Sequence, residues 1–339
     1  MSRMARRDGG LGVRGQKDGS LTLTGSLPPA HGLWRLAWRR LLRNRLAVTG
    51  LGVIAVFGLV ALLAPLIAPH DPSAQNLRET FEPLSLNHLA GTDNLGRDWF
   101  SRLLYGARLS IAVGLFAQLI VLGIGVPVGL AAGHFGKGID TFLMRTTDLV
   151  YAFPDLLLII LLRSVLGGSI FTLFLIIGIV SWVDIARLVR GQVLGLKGQE
   201  FIEAARSLGA SDRDIMARHL FPNLLGPLIV VVAFGVPRAI FIEASLSFIG
   251  VGANPGVPSW GSMVQEAYAA IFSSPHLVIF PSAAIALLML AFTFAGDGLR
   301  DALDPRTEVT ARPRRDIEEP TSPALPVPHE TDTELPRAA

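Results

Sequence analysis

The stretch LSIAVGLFAQLIVLGIGVPVGLAAGHF, Leu109 to Phe135, has no charged residue in 27 positions. A helix rises about 1.5 Å per residue, so roughly 20 residues cross the hydrocarbon core of a bilayer, which is about 30 Å thick. This stretch is therefore long and apolar enough to span a membrane. Three further uncharged stretches of at least 20 residues are residues 46–68, 164–183 and 276–295.

Two other apolar segments contain charges. Residues 141–162 include Arg145, Asp148 and Asp155, and residues 224–249 include Arg238 and Glu243. Both are otherwise rich in Leu, Ile, Val, Phe and Ala, so we interpret them as spans. The sequence thus predicts an all-α membrane protein with six transmembrane helices, within a membrane domain covering residues 46–298.

The composition supports an integral membrane protein with the lipid bilayer as its surroundings. Of 339 residues, 50% are hydrophobic and 17% are charged, and the mean hydropathy is +0.48. These values are too apolar for a soluble globular chain of this length. The net charge of +3 does not indicate nucleic acid as a partner, because the basic residues gather in the amino-terminal tail and between the apolar segments. With no cysteine in the chain, a disulfide or a thiolate metal site is excluded.

The distribution of Lys and Arg predicts the orientation, because basic loops stay on the cytoplasmic side. Residues 1–45 carry ten Lys or Arg, residues 184–223 carry six, and residues 250–275 carry none. We therefore expect a multi-pass membrane protein with both termini in the cytoplasm. Residues 184–223 should also be cytoplasmic, whereas residues 69–108 and 250–275 should lie outside.

The two ends of the chain resemble accessory segments rather than domains. Trp34, Trp38, Leu41 and Leu42 share one helical face and arginines occupy the other, which indicates a helix lying in the inner interface or a plain surface helix. Residues 299–339 are rich in proline and acidic residues and almost free of aromatics. This composition predicts a mostly disordered cytoplasmic tail.

Residues 200–223 form a charged segment between two apolar spans. At 100° per residue, Glu203 and Arg206 fall on one face of a short helix, and an apolar face opposite is expected to pack on the bundle. Gly209 can end this helix in the left-handed conformation, and Ser211 can cap a second helix, which we expect Pro222 to close. The expected apolar face comprises Phe201, Ile202, Ala204, Ala205 and Leu208. An ordinary amphipathic connector is the alternative interpretation.

The spacing of Glu203-Ala204-Ala205, Gly209 and Pro222 resembles the EAA loop of ABC-importer permeases. Four longer phrases extend the resemblance to residues 35–306: GTDNLGRDWFSRLLYGARLSIAVG (91–114), DTFLMRTTDLVYAFPDLLLIILL (140–162), EASLSFIGVGANPGVPSWGSMV (243–264) and GDGLRDALDPR (296–306). Together they are similar to the C-type permease of the dipeptide, oligopeptide and nickel importers. One departure is the loop's usual Ile-x-Leu-Pro ending, which here reads His219-Leu220-Phe221-Pro222.

The resemblance implies a type I importer fold, termed MetI-like, in a subunit of the prokaryotic inner membrane that is not an enzyme. Its partners would be a second, B-type permease, two cytoplasmic ATP-binding subunits and an extracytoplasmic substrate-binding protein. ATP and Mg would be used by the partner ATPase subunits and no cofactor would be bound by this chain, in keeping with the absence of a Gly-x-x-x-x-Gly-Lys-Ser/Thr phosphate loop from the sequence. The loop residues that would couple the chain to the ATPase are Glu203, Ala204, Ala205, Arg206, Gly209 and Pro222.

Three charged residues within the spans are candidates for function. A charge at membrane depth costs roughly 2.5 to 3.5 kcal/mol on insertion scales, so Asp155, Arg238 and Glu243 need partners or water. We expect them to face the translocation pathway or to pair between subunits; snorkelling near a span end is the alternative. Arg145 and Asp148 are one turn apart and can pair with each other.

An alternative function is a secondary transporter driven by an ion gradient, with Asp155 and Glu243 as ion or proton sites. No repeat with inverted topology is evident in the sequence, which counts against it. Asp93 and Asp98 lie in a short loop without the spacing of a calcium site, so we predict a turn in which Arg97 and Asp98 cap the following helix, and we predict that no metal is bound.

Reporter fusions test the predicted topology. Because the Lys and Arg residues place 184–223 inside, a reporter that is active only in the cytoplasm should be active when fused after Lys197. The same reporter fused after Gly256 should be inactive. The reverse pattern would contradict the six-span orientation.

Overall fold

The computed structural model describes residues 12–15, 21–24, 32–252 and 256–303. Apart from a two-stranded antiparallel hairpin, Gly12–Gly15 with Leu21–Thr24, these residues are helical wherever the structure is regular. The α-helices are α1 Gly32–Arg43, α2 Arg45–Ile67, α3 Trp99–Phe135, α4 Lys137–Tyr151, α5 Asp155–Leu166, α6 Ile170–Lys197, α7 Glu200–Ser207, α8 Asp212–Asp214, α9 Phe221–Ile249, α10 Trp260–Ala267 and α11 His276–Leu303. A π-helical turn, Ile215–Leu220, joins α8 to α9, and a 3₁₀ turn, Tyr268–Ala270, follows α10.

Five of these helices are long and apolar enough to cross a membrane, namely α2, α3, α6, α11 and the continuous helix Asp212–Ile249. A sixth span exists if α4 and α5 are counted together, although they are bent by 85°. The span predicted over residues 141–162 is thus a broken one, because the helical conformation is interrupted at residues 152–154. Proline disfavours the helical conformation of the preceding residue and lacks an N–H group, so α4 ends before it.

The helices α3 and α6 pack closely along a row of glycines. A β-carbon added at Gly129 would lie 2.5 Å from the carbonyl oxygen of Ala186, and one at Gly125 would lie 2.8 Å from that of Trp182. At Gly133 it would lie 2.7 Å from the β-carbon of Val193. The small residues thus let the two backbones approach, as in other tightly packed membrane helices. The three glycines therefore form a packing face of α3.

The start of α3 is fixed by its own loop. Asp98 accepts a hydrogen bond from the backbone N–H of Ser101 at 2.7 Å, which caps the helix as predicted. Asp93 accepts from Arg97 Nε at 2.6 Å. Glu266 of α10 accepts from Arg97 of this loop at 2.6 Å and from Arg102 in the first turn of α3 at 2.7 Å. These bonds attach the loop and the start of α3 to α10.

The amphipathic helix α1 packs on the bundle through one edge of its apolar face. Ala37 and Leu41 are buried against Ala47 of α2 and Ala302 of α11. Trp38 and Leu42 are exposed, as expected for side chains that contact lipid headgroups and acyl chains. The side chain of Trp34 and the carboxy-terminal tail after Leu303, for which disorder was predicted, lie outside the described residues.

A matched pair of glycine substitutions tests the helix contact. Gly129→Ala should destabilise the protein by about 1–3 kcal/mol, because the new methyl group would overpack the contact with the backbone of α6. Gly123→Ala, on the same helix but with no atom within 4 Å of the added carbon, should be neutral or slightly stabilising. Thermal unfolding in detergent measures both. Equal melting temperatures for the two variants would contradict the proposed contact.

Candidate functional site

The segment 200–223 begins as the predicted helix and turn. The helix α7 spans Glu200–Ser207, and Gly209 follows with a φ of 85°, a left-handed conformation that favours glycine. The Ser211 hydroxyl then accepts from the backbone N–H of Asp214 at 3.2 Å and caps the next helix.

The second half of the segment differs from the prediction. Pro222 was expected to close the segment, but the chain passes through the π-helical turn and continues as α9, so that Asp212–Ile249 forms one helix of 38 residues. Pro222 lies in the first turn of α9. The junction between the π turn and the α-helix accommodates the missing N–H of this proline, since the hydrogen-bonding pattern changes there. The segment is therefore continuous with a membrane-spanning helix.

The helix α7 contacts the bundle through a different face from the one predicted. Ile202 is 1% exposed and packs in a cluster with Val193 of α6 and with Leu220. Phe201 and Leu208, by contrast, are 43% and 89% exposed. The prediction that the whole apolar face lies on the bundle is wrong, because Ile202 is at the edge of that face and the fold turns this edge inward. Ala204 is also exposed and Ala205 is half-buried, while Glu203 and Arg206 are exposed as predicted.

One hydrogen bond attaches the segment to the end of α3, and a second joins the ends of α3 and α6. His134 Nε2 lies 2.7 Å from Asp212 Oδ1, and Lys197 Nζ donates to the backbone carbonyl of His134 at 2.5 Å. Sequence reasoning missed both residues. The only signal was a basic side chain near each helix end, which is too common to identify a contact.

The helix α4 is attached to α6 by ion pairs. Asp140 accepts two hydrogen bonds from Arg190, at 2.5 and 2.7 Å. Asp148 accepts from Arg187 at 2.7 Å, and the guanidinium of Arg187 lies 4.2 Å from the ring centre of Tyr151. The predicted pairing of Arg145 with Asp148 is therefore wrong, because a partner on another helix takes the carboxylate.

Asp155 and Arg238 meet at the side of the bundle. Arg238 of α9 donates to Asp155 at the start of α5 and to Asp184 of α6, each at 2.6 Å. We call these three residues the charged triad. They provide the partners that charges within a membrane need, and their side chains remain 37 to 50% exposed. Sequence reasoning missed Asp184 because it was placed in a loop at the end of a span.

A cavity of about 150 Å³ adjoins the charged triad, between α3, α6 and α9. Asp184 and Arg238 line it together with Gln118 and Ser181. Gln118 Nε2 and Ser181 Oγ are buried without a hydrogen-bond partner in the described part of the chain. The wall therefore combines charges, an amide and a hydroxyl with an otherwise apolar lining, which suits contact with water or with a polar solute.

Glu243 lies elsewhere and is fully buried. Its carboxylate accepts hydrogen bonds from Ser247 at 2.7 Å and from Ser110 of α3 at 3.3 Å, and Ser259 in turn bonds to Ser247. With 0% of the residue exposed, it faces neither a surface nor the cavity beside the charged triad. The prediction that Glu243 faces a pathway or pairs with another subunit is therefore corrected, since hydroxyl groups of its own chain satisfy it.

Comparisons with known proteins agree with this architecture. Residues 125–309 match the family model described as the binding-protein-dependent transport system inner membrane component, and residues 32–85 match the N-terminal TM domain of oligopeptide transport permease C. The chain is 42% identical to the oligopeptide transport system permease protein OppC of Bacillus subtilis, over 81% of this chain and 90% of that protein. It is 44% identical to the glutathione transport system permease protein GsiD of Escherichia coli O157:H7, over 80% of this chain and 90% of that protein.

Among solved structures, the chain is similar to one of the MetNI methionine ABC transporter in an inward-facing conformation, with 18% identity and a TM-score of 0.49 over 60% of this chain and 96% of that one. The two family matches and the high coverage of the relatives establish the assignment. The chain belongs to the family of binding-protein-dependent inner-membrane transport components, as a permease subunit of the oligopeptide and dipeptide type of ABC importer.

Proposed function

We propose that this subunit forms half of the translocation pathway for peptides or related small solutes, with a second, B-type permease as the other half. The observation that supports this most directly is the charged triad, which stays partly exposed on the bundle beside a cavity whose mainly apolar wall includes Gln118 and Ser181. A pathway wall needs charges that are paired, so that they are tolerated in the membrane, yet accessible to solute. The oligopeptide and glutathione transport named for the relatives supports the substrate class.

The proposed arrangement needs further subunits and a defined orientation. Two cytoplasmic subunits hydrolyse ATP with Mg, an extracytoplasmic binding protein delivers the substrate, and this chain binds no cofactor. Both termini and the 200–223 segment lie in the cytoplasm. This orientation rests on the concentration of Lys and Arg in residues 1–45 and 184–223 and their absence from residues 250–275.

Coupling to the ATPase uses the exposed face of α7. Phe201 and Leu208 present apolar surface beside the charges of Glu203 and Arg206, the combination of apolar anchor and polar rim that protein interfaces use. Because α7 is held by Ile202 and the following helix continues to Ile249, a displacement of α7 would be transmitted along α9 to Arg238. This connects the docking face to the pathway wall by packed side chains and one continuous helix.

The alternative of an ion-driven secondary transporter is less well supported. A secondary transporter of this kind would need Asp155 and Glu243 as ion or proton sites. Asp155 is paired with Arg238, and Glu243 is enclosed by hydroxyl groups of its own chain. Neither carboxylate is thus placed for repeated exchange of an ion with solvent.

Substituting Gly209 tests the coupling role. A side chain in the left-handed conformation costs roughly 1–2 kcal/mol, and no atom lies within 4 Å of an added β-carbon. Gly209→Val should therefore redirect α7 without a steric clash, and substrate-stimulated ATP hydrolysis by the assembled importer in proteoliposomes should fall while the chain inserts normally. The matched control is Gly198→Val, whose φ is −91° and whose surroundings are equally open. If Gly209→Val keeps the wild-type rate of substrate-stimulated ATP hydrolysis, the segment is only a connector.

Substitutions of Arg238 in the partly exposed charged triad and of the buried Glu243 distinguish a pathway role from a packing role. Arg238→Gln leaves Asp155 and Asp184 without their cation and should lower uptake roughly tenfold or more. Glu243→Gln keeps the capacity to bond to the surrounding serines and should leave uptake close to that of the wild type. Uptake of the solute held by the partner binding protein is measured in cells, and immunoblotting of membranes confirms insertion. Normal uptake by Arg238→Gln would contradict the pathway assignment.

A further inference from the structure

Three side chains with metal-binding chemistry meet in the loop between α2 and α3. His70 follows α2, His88 lies in the middle of the loop, and Asp98 is the residue before α3. One ligand atom from each lies within 4.8 Å of the other two. His88 and Asp98 are buried, whereas His70 is exposed. The fold thus collects two imidazoles and a carboxylate from three separate parts of the loop.

The two imidazoles approach the same carboxylate oxygen. His88 Nδ1 lies 2.8 Å from Asp98 Oδ1, and His70 Nδ1 lies 3.7 Å from that atom. The second distance is too long for a hydrogen bond, so His70 is placed beside Asp98 without being bonded to it. Two imidazole nitrogens and one carboxylate oxygen form a ligand set that zinc and similar ions bind.

Neighbouring groups hold the ligands in position. The other oxygen of Asp98 accepts from the N–H of Ser101, and Ser101 Oγ accepts from the N–H of His70 at 3.1 Å. Glu79 Oε2 lies 3.6 Å from His88 Nε2. Metal-bound histidines commonly donate their second ring N–H to a carboxylate, which fixes the tautomer. Glu79 is placed for that role, since Nδ1 of His88 faces Asp98.

We propose that His70, His88 and Asp98 bind a divalent transition-metal ion of the zinc type through Nδ1, Nδ1 and Oδ1, with Glu79 positioning His88. The ion would tie the segment that leaves α2 to the first turn of α3. His70 also borders an open pocket lined by Pro69, Tyr105 and Pro258, which provides access for the ion. The inference is independent of the proposed transport function.

This proposal revises the expectation that no metal is bound. That expectation considered only the loop containing Asp93 and Asp98, whereas the ligands are spread over residues 70 to 98. No compact spacing in the sequence marks them. Their convergence depends on the path of the loop, which the tertiary structure sets.

Zinc titration tests the site. The full chain, in detergent and with a purification tag that contains no histidine, is titrated with zinc chloride by calorimetry, and one ion per chain should bind. His70→Gln and Asp98→Asn should each weaken binding roughly tenfold or more, since each removes a ligand. Asparagine still caps a helix, so Asp98→Asn should keep the start of α3. Zinc should raise the melting temperature of the wild type but not that of His70→Gln.

Matched controls separate this site from general zinc adsorption. Glu79→Gln should weaken binding, whereas Glu82→Gln in the same loop and His219→Gln in the 200–223 segment should not. Without zinc, His70→Gln should have the same melting temperature as the wild type, because the His70 side chain is exposed. Failure of the wild type to bind one zinc ion, or equal affinity in the wild type and His70→Gln, would overturn the proposal.

Discussion

The close approach of α3 and α6 along Gly125, Gly129 and Gly133 is the contact on which the other sites depend. In lipid, helices gain little from hydrophobic association with one another, so backbone proximity and van der Waals packing determine which surfaces join. Because the two helices are in register over this length, their ends are fixed relative to each other. Lys197 can then bond to the carbonyl of His134, and the His134 ring can hold Asp212 of the 200–223 segment.

The three carboxylates of the membrane region discussed above, Asp155, Asp184 and Glu243, each have a partner within the chain. The partners are of two kinds, an arginine and serine hydroxyl groups. Asp155 and Asp184 share Arg238, and Glu243 is bonded to serines. The difference determines their accessibility. An ion pair at the edge of the bundle remains partly exposed, whereas the hydroxyl-bonded carboxylate is enclosed, so two acids that look equivalent in the sequence lie in different environments.

The 200–223 segment combines an exposed surface with a rigid connection. Its first helix is held by one buried side chain, Ile202, which leaves Phe201 and Leu208 exposed. Its second half is part of the same helix as Arg238. The proposed coupling relies on both properties, because a docking face transmits motion only if the structure behind it moves as a unit.

The sequence by itself determined the membrane class, most span positions, the capping of α3 by Asp98 and the left-handed Gly209. These features follow from local hydropathy, helical period and the conformations that single residues allow. The tertiary structure alone decided that Arg238 pairs with Asp184, that Glu243 is enclosed and that Ile202 rather than Leu208 is buried. Such outcomes depend on how helices distant in sequence are oriented about their axes and how closely they approach one another. The residue pattern along one helix does not specify that orientation.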